Sequence, residues 1–468
     1  MSKSTSDAPT LRSRVGAEVE TVGVLPVPDA QRTMRPYRMF VVWLMAASSA
    51  TTPLIGDLLF DYGLTNFVIA GFVAWAIAII PAGLFSEMGR ERPLSALVVA
   101  RKTYGWFGAF GFSVLFTVVN LGWFGLNTAV GAEILSAITH SSLAMWNIIV
   151  GGVQIVLVLF GMKWLERFYR YTAALMIVCY AALFGYMVVK YDFVAAPQTK
   201  PMNWGSALTI ILSFSILSWT YKLSTVSRFA VPVERTGGRR PSFFIAPSAG
   251  IMVALIGMGV IGLYSQSATG EWNVALLAQE IPIWGLVAAV GVAIAVLHTN
   301  AMNLYPAMID LLVAINTVRR PRRWEQPVAT VLLGIAGVAL AAGGILERAS
   351  DFLEAGGNFI IPFTFVMLVD WVLVQRRSTP SEEFFRSPRG FLGKWRLDAI
   401  LACGVGVLIG FFGEDFLPSF CYEIAPLPVV AGIVSALVFV ALGWPRIRAA
   451  KAAKATKAAG PVSEDIRD

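Results

Sequence analysis

A chain of 468 residues with 56% apolar and 14% charged side chains lacks the polar surface of soluble domains, whose charged share is roughly 25%. It reads as an integral membrane protein. Charge-free runs such as Tyr62 to Ser86 and Thr103 to Ala132 exclude the roughly ten-residue alternating strands of a β-barrel.

Residues 1–36 hold Ser, Asp, Pro and Arg without an apolar run of signal-peptide length, so a disordered cytoplasmic arm is expected. Stretches able to cross about 30 Å of hydrocarbon predict a first span at 38–58. Within it Ser48, Ser49, Ala50, Thr51, Thr52 and Pro53 follow one another. Pro53 removes a backbone donor and disfavours helix just before it, so the span is expected to break there. A second span is predicted at 64–86 and a third at 106–134. The third carries Asn120 and Asn127 around Gly122, Trp123, Phe124 and Gly125; the seven-residue spacing puts both amides on one face. Spans at 144–162 and 170–190 follow. The sixth, at 205–227, carries Ser213, Ser215, Ser218, Thr220, Lys222, Ser224, Thr225 and Ser227 with no regular apolar stripe. The stretch from Ser218 to Thr225 is therefore expected to be unwound and to face the first break. After 243–265, the eighth span at 282–315 carries His298, Thr299, Asn300 and Asn303 ahead of Tyr305 and Pro306. Spans at 327–346, 353–375, 397–413 and 427–445 complete twelve, and 446–468 is a basic tail read as cytoplasmic.

The charge pattern tests this count. Of 37 Lys and Arg residues, all but Lys190, Lys200, Lys222 and Arg348 fall in alternate segments that are cytoplasmic when both termini are inside. The net charge of +8 therefore reports topology at a plasma membrane and not nucleic-acid binding. Cys179, Cys403 and Cys421 form no CxxC and no repeated spacing, which supports neither a disulfide framework nor a zinc site.

The polar clusters of spans one and six lie five spans apart, as do those of three and eight. Two inverted repeats of five, over 37–195 and 203–376, would place broken and scaffold helices in matching positions around a midplane site, as in secondary transporters. A linker at 377–396 and two further helices at 397–445 complete the domain order. The alternative is that Ser and Thr simply bond their own helix carbonyls or join helices.

Asn120-Leu-Gly-Trp123-Phe-Gly125-Leu-Asn127 resembles the third-helix motif of the nucleobase:cation symporter-1 family, the cytosine and purine permeases and hydantoin transporters. His298-Thr-Asn300-Ala-Met-Asn303-Leu-Tyr305 resembles their eighth-helix motif, and Asp351 to Arg377 their tenth helix. The resemblance implies an all-α membrane protein with a five-plus-five inverted repeat of the leucine-transporter type plus two C-terminal helices. It implies that Trp123 stacks on a flat heterocycle and that Asn127 bonds its edge; Asn120 and Asn303 complete the polar set. The sixth-helix aromatic partner aligns near Ile216, where Phe214 and Trp219 flank it; Trp219 is the candidate taken.

Sodium-coupled members supply two adjacent eighth-helix hydroxyls and carbonyls from the first-helix break. The corresponding coupling site here would comprise Ala50, Thr51, His298 and Thr299, with Lys222 nearby. His298 replaces the first hydroxyl, and Thr225 stands where the family has an acidic residue. These departures put a proton ahead of sodium as coupling cation and keep an uncoupled carrier open. Against them stand an imidazole that merely bridges two helices, a Trp123 that is core packing, and a Lys222 that snorkels to the cytoplasmic end. Asp310 is expected near the inner interface, satisfied by basic loops.

The function expected is a secondary transporter, not an enzyme, importing a nucleobase, hydantoin or hydroxymethylpyrimidine-like heterocycle. No cofactor beyond a coupling cation, no metal assignment and no obligate protein partner follows. HExxH, GxSxG and Walker A sequences are absent, which argues against a membrane enzyme or an ATP-driven pump. A channel would call for a repeated filter motif, and none occurs.

Overall fold

The structure is a computed structural model that describes residues 23–191, 196–277, 282–376, 381–388 and 390–458. Residues 1–22 of the arm, 377–380 and Arg389 of the linker, and 459–468 of the tail lie outside it.

Among the described residues ten helices are long and apolar enough to cross a membrane. They are the second span (Gly63–Glu91), third (Trp106–Thr139), fifth (Met162–Tyr191), sixth (Trp204–Ser227), seventh (Pro241–Thr269), eighth (Pro282–Val318), ninth (Glu325–Ala342), tenth (Ala355–Gln375), eleventh (Leu397–Phe416) and twelfth. The shorter apolar helix Leu143–Leu159 stands as the fourth. The first span is two pieces, Pro36–Ala47 and Leu54–Leu58, separated at Ser48 to Pro53 as Pro53 predicts. Side chains take over part of the backbone bonding that the break interrupts. Ser48 Oγ donates to the Leu44 carbonyl at 2.8 Å, Thr52 Oγ1 donates to that of Ala47 at 2.7 Å, and the Ser49 N–H donates to Thr52 Oγ1 at 3.1 Å. Each would otherwise cost heavily in a bilayer.

Glycine sets how closely the broken span lies on the seventh. A Cβ at Gly262 would sit 2.0 Å from the Pro53 carbonyl oxygen, and one at Gly56 would sit 2.0 Å from that of Gly259. Backbone meets backbone there, the close approach that small residues allow between membrane helices. The third span packs most extensively on the eighth, and together with the fourth and ninth they form a scaffold beside the broken helix.

Two expectations need correction. The sixth span is not unwound between Ser218 and Thr225: Leu217–Ser227 is α-helix, and the irregularity is a π-helical stretch at Leu212–Ile216 just before it. Its hydroxyls turn back on their own helix, Thr220 Oγ1 donating to the Ile216 carbonyl at 2.7 Å and Ser224 Oγ to that of Tyr221 at 3.1 Å. Ser and Thr density therefore reports back-bonding here rather than a break.

The arm is also not disordered as far as residue 36. From Gly23 on it is ordered and buries Val24, Val27 and Met34. Met34 pairs in parallel with Ala230, and the Val27 N–H donates to the Pro93 carbonyl at 3.1 Å. The Arg228 guanidinium donates to the Gly23 carbonyl at 2.7 Å, so the arm binds the ends of the second and sixth spans. At the other terminus the twelfth span continues as helix through the basic region, Leu427–Ala458.

Candidate functional site

A cavity of about 30 Å³ lies between the first break and the third, sixth, seventh and eighth spans. It brings together Thr51, Trp123, Asn127, Trp219 and Thr299 of the candidate site residues, with Ser49 and Thr52 of the break and Phe214 beside them. Trp123 and Phe214 meet edge to face at 5.9 Å between centroids, and Phe352 of the tenth span reaches Trp123 at 5.8 Å. Gly122 leaves room for Phe352: a Cβ there would lie 2.3 Å from its ring. Both aromatic residues flanking Ile216 thus line the cavity, and Phe214 is the one that touches Trp123. Space of this size holds one or two waters, so a ring must displace side chains to enter.

Asn127 is held on three sides. Its Oδ1 accepts from Ser49 Oγ at 2.8 Å and Thr51 Oγ1 at 3.2 Å, while its Nδ2 donates to the Trp123 carbonyl at 2.9 Å. The break in the first helix is what presents Ser49 and Thr51 to it. An amide with both donor and acceptor faces, beside an indole, can recognise a lactam edge and a flat ring.

The remaining residues lie elsewhere. Asn120, two turns from Asn127, donates to the Tyr221 hydroxyl at 2.7 Å and to Asp310 Oδ2 at 3.1 Å. Asp310 is buried among these groups and not held by basic loops as expected. Lys222 does not snorkel: it is buried, its Nζ donates to Asn303 Oδ1 at 2.9 Å, and it lies 5.2 Å from the centre of the Trp219 ring. Asn303 donates onward to Asn300 Oδ1 at 3.1 Å, and Asn300 donates to the Phe124 carbonyl and to Thr128 Oγ1, both at 2.9 Å. A polar chain thus runs from the sixth span through the eighth to the third. It touches the cavity through Trp219, one turn before Lys222.

The expected coupling residues also separate. Thr299 Oγ1 donates to the Ala46 carbonyl at 2.7 Å, four residues before Ala50, and Ala50 is buried without lining the cavity. His298 turns to the fifth span. Its Nε2 lies 2.6 Å from Thr172 Oγ1, its ring packs edge-on against Phe168 and Tyr169, each 4.9 Å away, and its carbonyl accepts from the Tyr169 hydroxyl at 2.7 Å. This is the helix-bridging imidazole. One hydroxyl already bonded to one carbonyl is a poor donor set for a hard cation, which takes about six oxygens. Among the described residues no cluster of His, Cys, Asp or Glu could hold a metal ion.

Residues 26–440 match the family described as permease for cytosine/purines, uracil, thiamine, allantoin. The chain belongs to this family. Among curated relatives, the permease is 21% identical to a hydantoin permease of Microbacterium maritypicum over 88% of this chain and 86% of that protein. It is 22% identical to a vitamin B6 transporter of Saccharomyces cerevisiae over 77% of this chain and 66% of that transporter. Its fold is similar to that of Mhp1, a nucleobase-cation-symport-1 family transporter solved in a closed conformation with bromovinylhydantoin bound. The TM-score is 0.76 at 18% identity, covering 91% of this chain and 95% of Mhp1.

Proposed function

We propose that this permease is a secondary transporter importing a planar nitrogen heterocycle of nucleobase size across the plasma membrane, with both termini and the basic loops in the cytoplasm. Its working parts are two inverted repeats, 37–195 and 203–376, with 397–445 as an accessory pair. The observation that carries the reading is the meeting of Trp123, Phe214 and Trp219 with Asn127 at the break of the first helix. A ring stacked on Trp123 gains about 1 to 3 kcal/mol. Asn127 exchanges its bonds to Ser49 and Thr51 for bonds to the ring edge, so binding loosens the break that must move. The hydantoin and vitamin B6 relatives favour a ring of this kind.

Transport does not use sodium at the eighth span in this reading, because Thr299 alone faces the break and His298 faces Thr172. Lys222 is an ionisable group buried within the membrane domain. It braces the sixth span against the eighth rather than reaching the break carbonyls, since its Nζ donates to Asn303.

Equilibrium binding to the purified protein tests the substrate class. Tritiated cytosine, uracil, hypoxanthine, hydantoin, hydroxymethylpyrimidine and pyridoxine are each presented in sodium and in choline, with leucine as a non-planar comparison. At least one heterocycle should bind saturably, equally in both salts, and leucine should not. Binding of leucine alone, or of nothing flat, would remove the proposal.

A further inference from the structure

We propose that the pocket between the Ala96–Thr103 helix and the linker before the eleventh span binds a phosphate-bearing anion. The pocket, of about 250 Å³, lies on the basic face and is lined by Arg101, Lys102, Trp106, Glu383, Arg386 and Arg396 among others. Its cations are unequally satisfied. Lys102 meets Glu383 at 3.5 Å, and Arg396 is bound by Asp398 at 2.8 Å. Among the described residues neither Arg101 nor Arg386 has a carboxylate within 4.0 Å.

Arg101 makes the case a built site rather than a basic surface. It is only 4% exposed. Its two Nη atoms donate to the carbonyls of Phe384 at 3.3 Å and Val313 at 3.2 Å, and among the described residues its Nε has no partner. The guanidinium lies 4.4 Å from the centre of the Trp106 ring, which supplies a π-face but no opposite charge. Burial draws its pKa down to about 10. That still leaves a full positive charge at neutral pH, buried and with no carboxylate against it among the described residues. A buried charge is tolerated when it is paired, and a phosphate oxygen matches a free guanidinium N–H.

The depth suits a headgroup. Trp106 and Trp395 flank the pocket region at the starts of the third and eleventh spans, where interfacial tryptophans gather. Basic pockets between membrane helices on the cytoplasmic side take lipid phosphates. A soluble phosphate ester offers the same group, so the experiment must separate the two sources.

The full chain is purified in neutral detergent. Native mass spectrometry counts bound dioleoylphosphatidylglycerol against dioleoylphosphatidylcholine, and radiolabelled inorganic phosphate is measured by equilibrium dialysis at constant ionic strength. The variant Lys102→Gln/Arg386→Gln removes two rim charges and keeps the Arg101 carbonyl bonds. Lys163→Gln/Lys451→Gln removes two exposed charges elsewhere. The rim variant should bind the anion roughly tenfold or more weakly, while the control variant matches wild type. Selective loss of phosphatidylglycerol assigns the site to lipid, and selective loss of phosphate assigns it to a soluble ester. If the rim variant binds both probes like wild type, or wild type binds neither, the proposal fails.

Discussion

Replacing Lys222 with methionine keeps the length of the side chain and removes its charge. Two groups then feel the loss. Asn303 Oδ1, which accepts from Nζ at 2.9 Å, is left unbonded in the interior. Asp310 loses the opposite charge on the sixth span and keeps its bond from Asn120 at 3.1 Å. A bond from a charged donor contributes about 1.5 to 3 kcal/mol, and Lys222 and Asp310 act on each other through space without an ion-pair contact. Lys222→Met and Asp310→Asn should therefore each destabilise the purified protein by about 1.5 to 3 kcal/mol. The double variant removes both charges, so its loss should fall short of the sum by about 1 to 3 kcal/mol, the usual range for interacting residues. Cys179 and Cys403 are free and buried, so a thiol-reactive dye reports unfolding. Strictly additive losses, or a Lys222→Met protein as stable as wild type, would show that the two charges do not act on each other.

Three further outcomes follow from the site. Trp123→Ala should weaken every planar ligand by about 1 to 3 kcal/mol, whereas Asn127→Ala should reorder the ligands, since an unpaired ring edge costs about 1 to 3 kcal/mol; competition binding across the heterocycle panel separates the two. Gly262→Ala should abolish uptake in protein that still elutes as a single species, because its Cβ would press to within 2.0 Å of the Pro53 carbonyl oxygen at the break. Thr299→Val should lower thermal stability by about 1 to 3 kcal/mol through the unpaired Ala46 carbonyl, yet leave uptake equal in sodium and choline.

The sequence revealed the break in the first helix because Pro53 is a backbone signal that tertiary contacts cannot erase. It also revealed the span order, since apolar length and loop charge both act locally. The sixth span was misread for a physical reason. Ser and Thr that back-bond to their own helix look the same in composition as Ser and Thr that replace it, and the π-helical stretch at Leu212–Ile216 has no residue signature. The seven-residue spacing correctly put Asn120 and Asn127 on one face, but it separates them by about 10 Å along the axis. One therefore reaches the cavity and the other reaches Asp310. Lys222 looked free to snorkel because its partner Asn303 is distant in the chain, and His298 found Thr172 in the same way. The arm gave no periodic pattern, so the burial of Val24, Val27 and Met34 against span ends was not visible in it.

Uptake by the purified protein in sodium-free liposomes tests the central claim most directly. Vesicles loaded with the unlabelled heterocycle that binds best are diluted into choline buffer containing its tritiated form, and exchange is followed beside Trp123→Ala vesicles of equal protein content. The account predicts label accumulation by wild type with no sodium on either side, and little or none by the variant. Exchange that appears only when sodium is added, or that is undiminished by the loss of the indole, would contradict it.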